Sequence, residues 1–183
     1  MLTTVRRVLA HEYPKYCSHL LALSPESKHL RFGYAIRDDM IETMADAWQY
    51  NYRNHTLFAV ENEALEFVAV AHIAREMGGM ELAFSVLDAY QGQGLGSLLM
   101  ERAIQYCRFK GLLDGYMVCL PHNQAIRHLC VKHGIHLRTQ DGETSADIHL
   151  PCADYATRLN EYVDRNMGVV DYWTKRLGAN YAG

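Results

Sequence analysis

The stretch Glu81–Gly96, ELAFSVLDAYQGQGLG, carries the pattern that decides the fold. In an extended chain its first half places Leu82, Phe84 and Val86 on one side and Glu81, Ala83 and Ser85 on the other. Its second half sets glycines at 92, 94 and 96. The period then changes: Leu95, Leu98, Leu99, Ala103, Tyr106 and Cys107 recur at helical spacing as far as Lys110, with Gly111 placed to end the helix. A strand therefore runs into a glycine-rich loop and straight on into a helix. Glycine lets the backbone curl tightly and leaves no β-carbon to block a ligand. Successive N–H groups then converge where the helix dipole is positive, which suits a diphosphate. Two familiar phosphate loops are excluded. The dinucleotide fingerprint needs glycine where Ser97 stands, and a P-loop needs a lysine that this loop lacks.

Working outward, Thr3–Leu9 reads as a first strand and Tyr13–Leu23 as a helix stopped by Ser24-Pro25. Asp38 is expected to cap a second helix that runs to about Asn51. Thr56–Glu61 and Leu65–Arg75 form a strand pair, and Gly78-Gly79 turns the chain into the strand Met80–Leu87. Beyond the long helix, Gly115–Leu120 is a short strand ended by Pro121, and Asn123–Lys132 is a helix. Ile135–Thr139 and Ala146–Leu150 close the series around Asp141-Gly142. The tail from Ala153 to about Leu177 is helical in pattern, with Gly168 as an expected interruption. The order is that of a mixed α/β (α+β) protein, and no linker or repeat divides residues 1–183. We expect one domain, with a core over about 1–150 and a helical extension over 151–183.

Bulk composition narrows the function. With 49% hydrophobic and 21% charged residues, the 183-residue chain can bury a core and is not a disordered polymer. A formal charge of −3 gives no global attraction to nucleic acid or anionic membrane. No apolar run approaches a membrane span. The five cysteines are odd in number and show no C-x-x-C spacing, which suits reduced thiols and a cytoplasmic setting. Ten histidines include the set His122, His128, His133 and His136, but none makes a zinc motif, so no metal is expected.

The loop Gln91-Gly92-Gln93-Gly94-Leu95-Gly96 resembles the acyl-CoA signature of the GNAT (GCN5-related) N-acetyltransferase superfamily, Gln/Arg-x-x-Gly-x-Gly/Ala. Asn123, with Ala125, Leu129 and Lys132-His133-Gly134-Ile135, is similar to that family's later helix. Leu23–Phe32, LSPESKHLRF, resembles a segment of the GNAT domain in bacterial Pat-type protein lysine acetyltransferases. The resemblance covers roughly residues 1–150. It implies a central mixed sheet of six to seven strands flanked by helices, and acetyl-CoA as co-substrate. The activity it implies is transfer of the acetyl group to a primary amine, either a protein lysine or a small amine. Val86, Leu87, Gln91, Gly92, Gln93, Gly94, Leu95, Gly96, Ser97 and Asn123 would hold the coenzyme. A backbone N–H near Leu87 would steady the oxyanion, a contribution of about 3 kcal/mol per donor. Glu81 is the candidate general base; its other reading is a solvated carboxylate at a strand end.

The family's usual acid, a tyrosine on the helix after the asparagine, is replaced by Cys130 in this sequence. That leaves the acid unassigned, with Tyr116 or water as alternatives, and keeps a non-catalytic acyl-CoA sensor or a transferase of larger acyl donors in play. Glu26 and Arg31 either select an acceptor or pair to anchor a loop. His72 reads as a hydrogen-bonded core histidine or as part of a substrate pocket, and Cys119 as a small core residue. The aromatic tail packs on its own domain, covers an acceptor site or makes a dimer contact, so the chain is a monomer or a homodimer.

Overall fold

Alternation in the first strands decides how the molecule is layered. The computed structural model describes residues 4–140 and 143–181. Strands β1 (Arg6–Arg7), β2 (His55–Glu61), β3 (Phe67–Glu76), β4 (Gly79–Val86), β5 (Asp114–Cys119), β6 (His136–Gln140) and β7 (Glu143–His149) form one sheet in the order β1-β2-β3-β4-β5-β7-β6. Helices α1 (Tyr13–Leu21), α2 (Pro25–Phe32), α3 (Asp38–Tyr50), α4 (Leu95–Lys110), α5 (Gln124–Lys132) and α6 (Tyr155–Tyr181) flank it. Within β2, Phe58 and Val60 enter a core shared with Leu99, Met100 and Ala103 of α4. Their neighbours Leu57 and Ala59 enter a second core with Tyr16 and Leu20 of α1 and Ile41 of α3. Both faces of the central strands are thus buried, which is why they read as nearly continuous apolar runs.

All neighbouring strands are antiparallel except β4 and β5. These two run parallel and pair only at Met80↔Gly115 and Glu81↔Tyr116. A β-carbon on Gly115 would collide with the Met80 carbonyl, so the missing side chain sets how closely the strands meet at that base. Beyond Glu81↔Tyr116 no further pairs join them, and they part.

Three expectations are corrected. Ser24-Pro25 ends α1 but also starts α2: Ser24 Oγ accepts from the Ser27 N–H at 3.2 Å, and Pro25 occupies the first turn where it needs no N–H partner. No residue of α2 is fully buried, so it carries no apolar stripe for a sequence reading to find. The cap position of α3 is Arg37 rather than Asp38, which instead accepts from Lys28 Nζ at 2.7 Å. Gly168 does not interrupt α6. A β-carbon there would stand 3.0 Å from Arg6 Cβ, so the glycine lets the helix lie close on β1. The expected start of the first strand at Thr3 and the turn at Asp141-Gly142 lie outside the described residues.

A buried ionic knot ties the edge of the sheet. Arg6 donates from Nε and Nη2 to Glu61 at 2.8 and 2.5 Å, and from Nη1 and Nη2 to Glu12 at 2.8 and 2.6 Å. Lys15 Nζ joins Glu61 at 3.3 Å, and the Tyr172 ring covers the Arg6 guanidinium at 4.6 Å. Burial works against the Glu12 carboxylate, but hydrogen bonds from Arg6 and the Leu9 N–H hold it below its ordinary range.

Candidate active site

The loop after β4 has the conformation that its glycines suggest. Gly92 and Gly94 take φ of 73° and 80°, which side chains rarely adopt, and Gly94 stands at the N-cap of α4. Among the described residues, no group accepts a hydrogen bond from the N–H groups of Gly92 through Gly96, so five successive amides have no protein partner. A β-carbon on Gly92 or Gly94 would meet nothing within 4 Å. Gln91 holds the loop from behind: its Nε2 donates to Asp88 Oδ1 at 3.0 Å and to Val86 O at 3.2 Å. Asp88 in turn accepts from Ser27 Oγ at 2.5 Å, which anchors the loop to α2. Gln93 Nε2 donates back to Ala89 O, and the first turn of α4 follows through Leu95, Gly96 and Ser97.

Lys132 of α5 joins the loop from outside its sequence motif. Its Nζ donates to Ser97 Oγ at 2.6 Å, which brings an ammonium group to the first turn of α4. The loop itself has no lysine, and the positive charge arrives from 35 positions away. Only the Lys-His-Gly-Ile run on the later helix hinted at it. Asn123 is buried at the N-cap of α5, where its Oδ1 accepts from the Ile126 N–H at 3.2 Å.

Strand parity distinguishes the backbone donors near Leu87. The Leu87 N–H already donates to Val68 O of β3 at 2.9 Å. Because alternate residues of a strand direct their backbone groups to opposite neighbours, Phe84 and Val86 are the ones that face the opening toward β5. Cys130 is fully buried in the core, and burial pushes its thiol up to about 11. The Tyr116 hydroxyl donates to Glu76 Oε2 at 2.8 Å; that bond, with burial and the nearby Glu81 charge, pushes it up to about 12.

Beside the opening lies a cavity of about 270 Å³ lined by Glu81, Glu76, Arg31, His55, His72 and Trp48, among others. Glu81 is partly buried. Burial raises its carboxyl above the ordinary range; Arg31 pulls it back in part, and Glu76 adds to the rise. Arg31, placed by α2, donates to Tyr16 Oη at 3.2 Å and to His72 Nδ1 at 3.4 Å, so it does not turn to Glu26. An arginine only donates, so His72 carries its proton on Nε2 and passes it toward His55 Nδ1 at 3.0 Å. His72 is therefore both a hydrogen-bonded core residue and part of the cavity wall. Burial lowers both imidazoles, and Arg31 lowers His72 further, so the pair is neutral at neutral pH. Two carboxylates against one guanidinium leave the cavity net negative.

A third imidazole lies deeper. His19 donates from Nδ1 to Phe67 O at 2.8 Å and accepts at Nε2 from Ser85 Oγ at 2.8 Å, and burial pushes it down to about 4. A histidine held neutral in the fold but free to protonate when unfolded makes stability fall as pH drops through the ordinary histidine range. We expect His19 alone to cost on the order of 3 kcal/mol by the time the pH reaches its folded pKa. Melting curves against pH should show this slope, and His19→Gln should flatten it. An unchanged slope in the variant would remove His19 from the effect.

Comparison with known proteins agrees with this geometry. The model of the Acetyltransferase (GNAT) family matches residues 20–135. This chain belongs to the GNAT family. It is 29% identical over 132 residues to Acetyltransferase PA5475 of Pseudomonas aeruginosa, covering 69% of this chain and 71% of that one. It is 25% identical over 166 residues to Acetyltransferase Pat of Mycolicibacterium smegmatis, covering 88% of this chain but only 50% of Pat. The GNAT domain of S. lividans PAT superposes with a TM-score of 0.66 at 22% identity, over 80% of this chain and 89% of that one. The seven-stranded mixed sheet with flanking helices is thus the GNAT fold, and the enzyme is an acetyltransferase by family.

Proposed function

We propose that the chain transfers an acetyl group from acetyl-CoA to a primary amine, and that a lysine side chain is the acceptor its cavity fits best. The carrying observation is the parting of β4 and β5 beyond Glu81↔Tyr116, with the unpartnered amides of Gly92–Gly96 following β4 and the Glu81 cavity beside the gap. The amides of Gly92–Gly96, with Lys132, suit the diphosphate and phosphate groups of the coenzyme. Its pantetheine arm can pair with backbone groups of Phe84 and Val86 as an added strand would. A negative cavity walled by Trp48 and neutral histidines receives an alkylammonium and stacks its methylenes. The resemblance of Leu23–Phe32 to the Pat-type protein lysine acetyltransferases favours a protein lysine over a small amine.

In the reaction the ammonium gives a proton to the Glu81 carboxylate, directly or through water. The freed nitrogen attacks the thioester carbon. The Val86 N–H is the nearest donor in parity for the oxyanion, and the carbon–sulfur bond then breaks to release coenzyme A as thiolate. Cys130 is buried in the core and Tyr116 is bonded to Glu76, so the second proton of the attacking nitrogen passes to the departing sulfur directly or through water.

The test is acetyl-CoA consumption measured with lysine peptides and small amines side by side. Faster turnover with lysine peptides supports the reading; binding of acetyl-CoA without turnover on any amine would leave a sensor in its place. The loop has its own test. Gly94→Val forces a β-branched residue to positive φ and places methyl groups before the open amides, and is expected to weaken coenzyme A binding by about 10-fold or more. Calorimetric titration would read it, and unchanged affinity would sink the loop assignment.

A further inference from the structure

Helix α6 is amphipathic the wrong way round. The face it turns to its own domain is largely polar: Thr157 and Glu161 are 3% and 9% exposed, and Glu161 accepts from Arg102 at 2.6 and 3.1 Å. Gly168 rests on Arg6, and Lys175 donates to Glu61 O at 3.3 Å. The opposite face is apolar and open, with Tyr155 82%, Tyr162 70%, Val170 65% and Trp173 50% exposed. Burying polar groups while exposing a continuous apolar stripe is costly for an isolated helix, and such a stripe marks a contact surface.

The spacing says what covers it. Tyr155, Leu159, Tyr162, Asn166, Val170, Trp173 and Leu177 follow steps of four, three, four, then four, three, four. This sequence of steps reads the same from either end about Asn166. We infer that the occupant is a second copy of α6 packed antiparallel, with Asn166 facing Asn166 across the two-fold axis. The pairing then places Tyr162 on Val170, Leu159 on Trp173 and Tyr155 on Leu177, an aromatic side chain against a smaller aliphatic one each time. A parallel pair would instead set Tyr155, Tyr162 and Trp173 against themselves. A single amide at the centre of an apolar seam favours one register: Asn166 Nδ2 donates to Tyr162 O of its own helix at 2.7 Å, and only the symmetric pairing also sets its Oδ1 against the amide of the second copy. From Tyr155 to Leu177 the seam extends about 33 Å, enough for six to seven layers of contact. The interface is isologous and closed, so it forms a dimer rather than a filament.

Sedimentation and site-directed crosslinking test this in the intact chain. We expect the wild type to sediment as a dimer and Leu159→Asp/Trp173→Asp as a monomer that still binds coenzyme A. In a Cys152→Ser background, Asn166→Cys should give an oxidised dimer, whereas Leu159→Cys should crosslink only when mixed with Trp173→Cys. A wild type that stays monomeric at high concentration would overturn the proposal, since the face would then be covered by some other segment or partner. So would a dimer that survives the double substitution, or self-crosslinking of Leu159→Cys. Should the double variant fail to fold, the crosslinks decide alone.

Discussion

Glu81→Gln is expected to lower the acetyl-transfer rate by about 10²-fold or more at neutral pH while leaving coenzyme A affinity unchanged. Glutamine keeps the shape and cannot take a proton. The loop that would bind the phosphates stands at the other end of β4, so binding and chemistry should separate. Wild-type rate should rise with pH through a carboxyl range lifted by burial, because only the ionised form accepts a proton. The variant should lose that limb of the profile. Stability should move the opposite way. A carboxyl raised in the fold contributes stability below its unfolded pKa and loses it as pH rises through the folded one. Glu81→Gln should therefore melt higher than wild type at neutral pH and match it once the carboxyl is protonated in both states. Unchanged turnover would remove Glu81 from the reaction. A lower melting temperature would show that the carboxylate is held by partners rather than strained by burial.

The second large effect concerns the sheet edge. Arg6→Met should destabilise the fold by about 3–5 kcal/mol, because it leaves Glu12 and Glu61 buried beside one another with only the half-exposed Lys15 to balance them. Replacing the knot as a unit, Arg6→Met with Glu12→Leu and Glu61→Leu, should recover much of the loss, since an apolar group of similar volume needs no pairing. Urea unfolding of the two variants measures the difference. Equal losses would mean that these residues matter for their packing rather than for their charge.

These two sites show what the sequence makes legible. Around Glu81 nearly everything is local: alternation over six residues, then three glycines, then a helical period, so strand, loop and helix can be read from adjacent positions. The direction of single amides cannot. Which of Leu87 and Val86 offers its N–H to the gap depends on how β4 registers against β3, which no local pattern specifies. Arg6, Glu12 and Glu61 span 55 positions and look like ordinary surface charges until the fold brings them together. Lys132 and Ser97 meet in the same way, from two helices. Helix α2 escaped because its contribution is positional: it places Arg31 over Tyr16 and His72 and clamps Asp88, and neither task requires an apolar face.

The tight base between Met80 and Gly115 has a consequence for how a ligand enters. Since the two strands are pinned there and spread above it, the slot is already formed when the chain finishes folding, and the ordering entropy of its walls is spent then and not at each encounter. A thioester arm sliding in has no sheet to unzip, so capture should approach the rate of simple collision with an open cleft. A methyl group at position 115 would meet the Met80 carbonyl and force the pinned strands apart, so Gly115→Ala should slow that capture from a position remote from the reacting atoms.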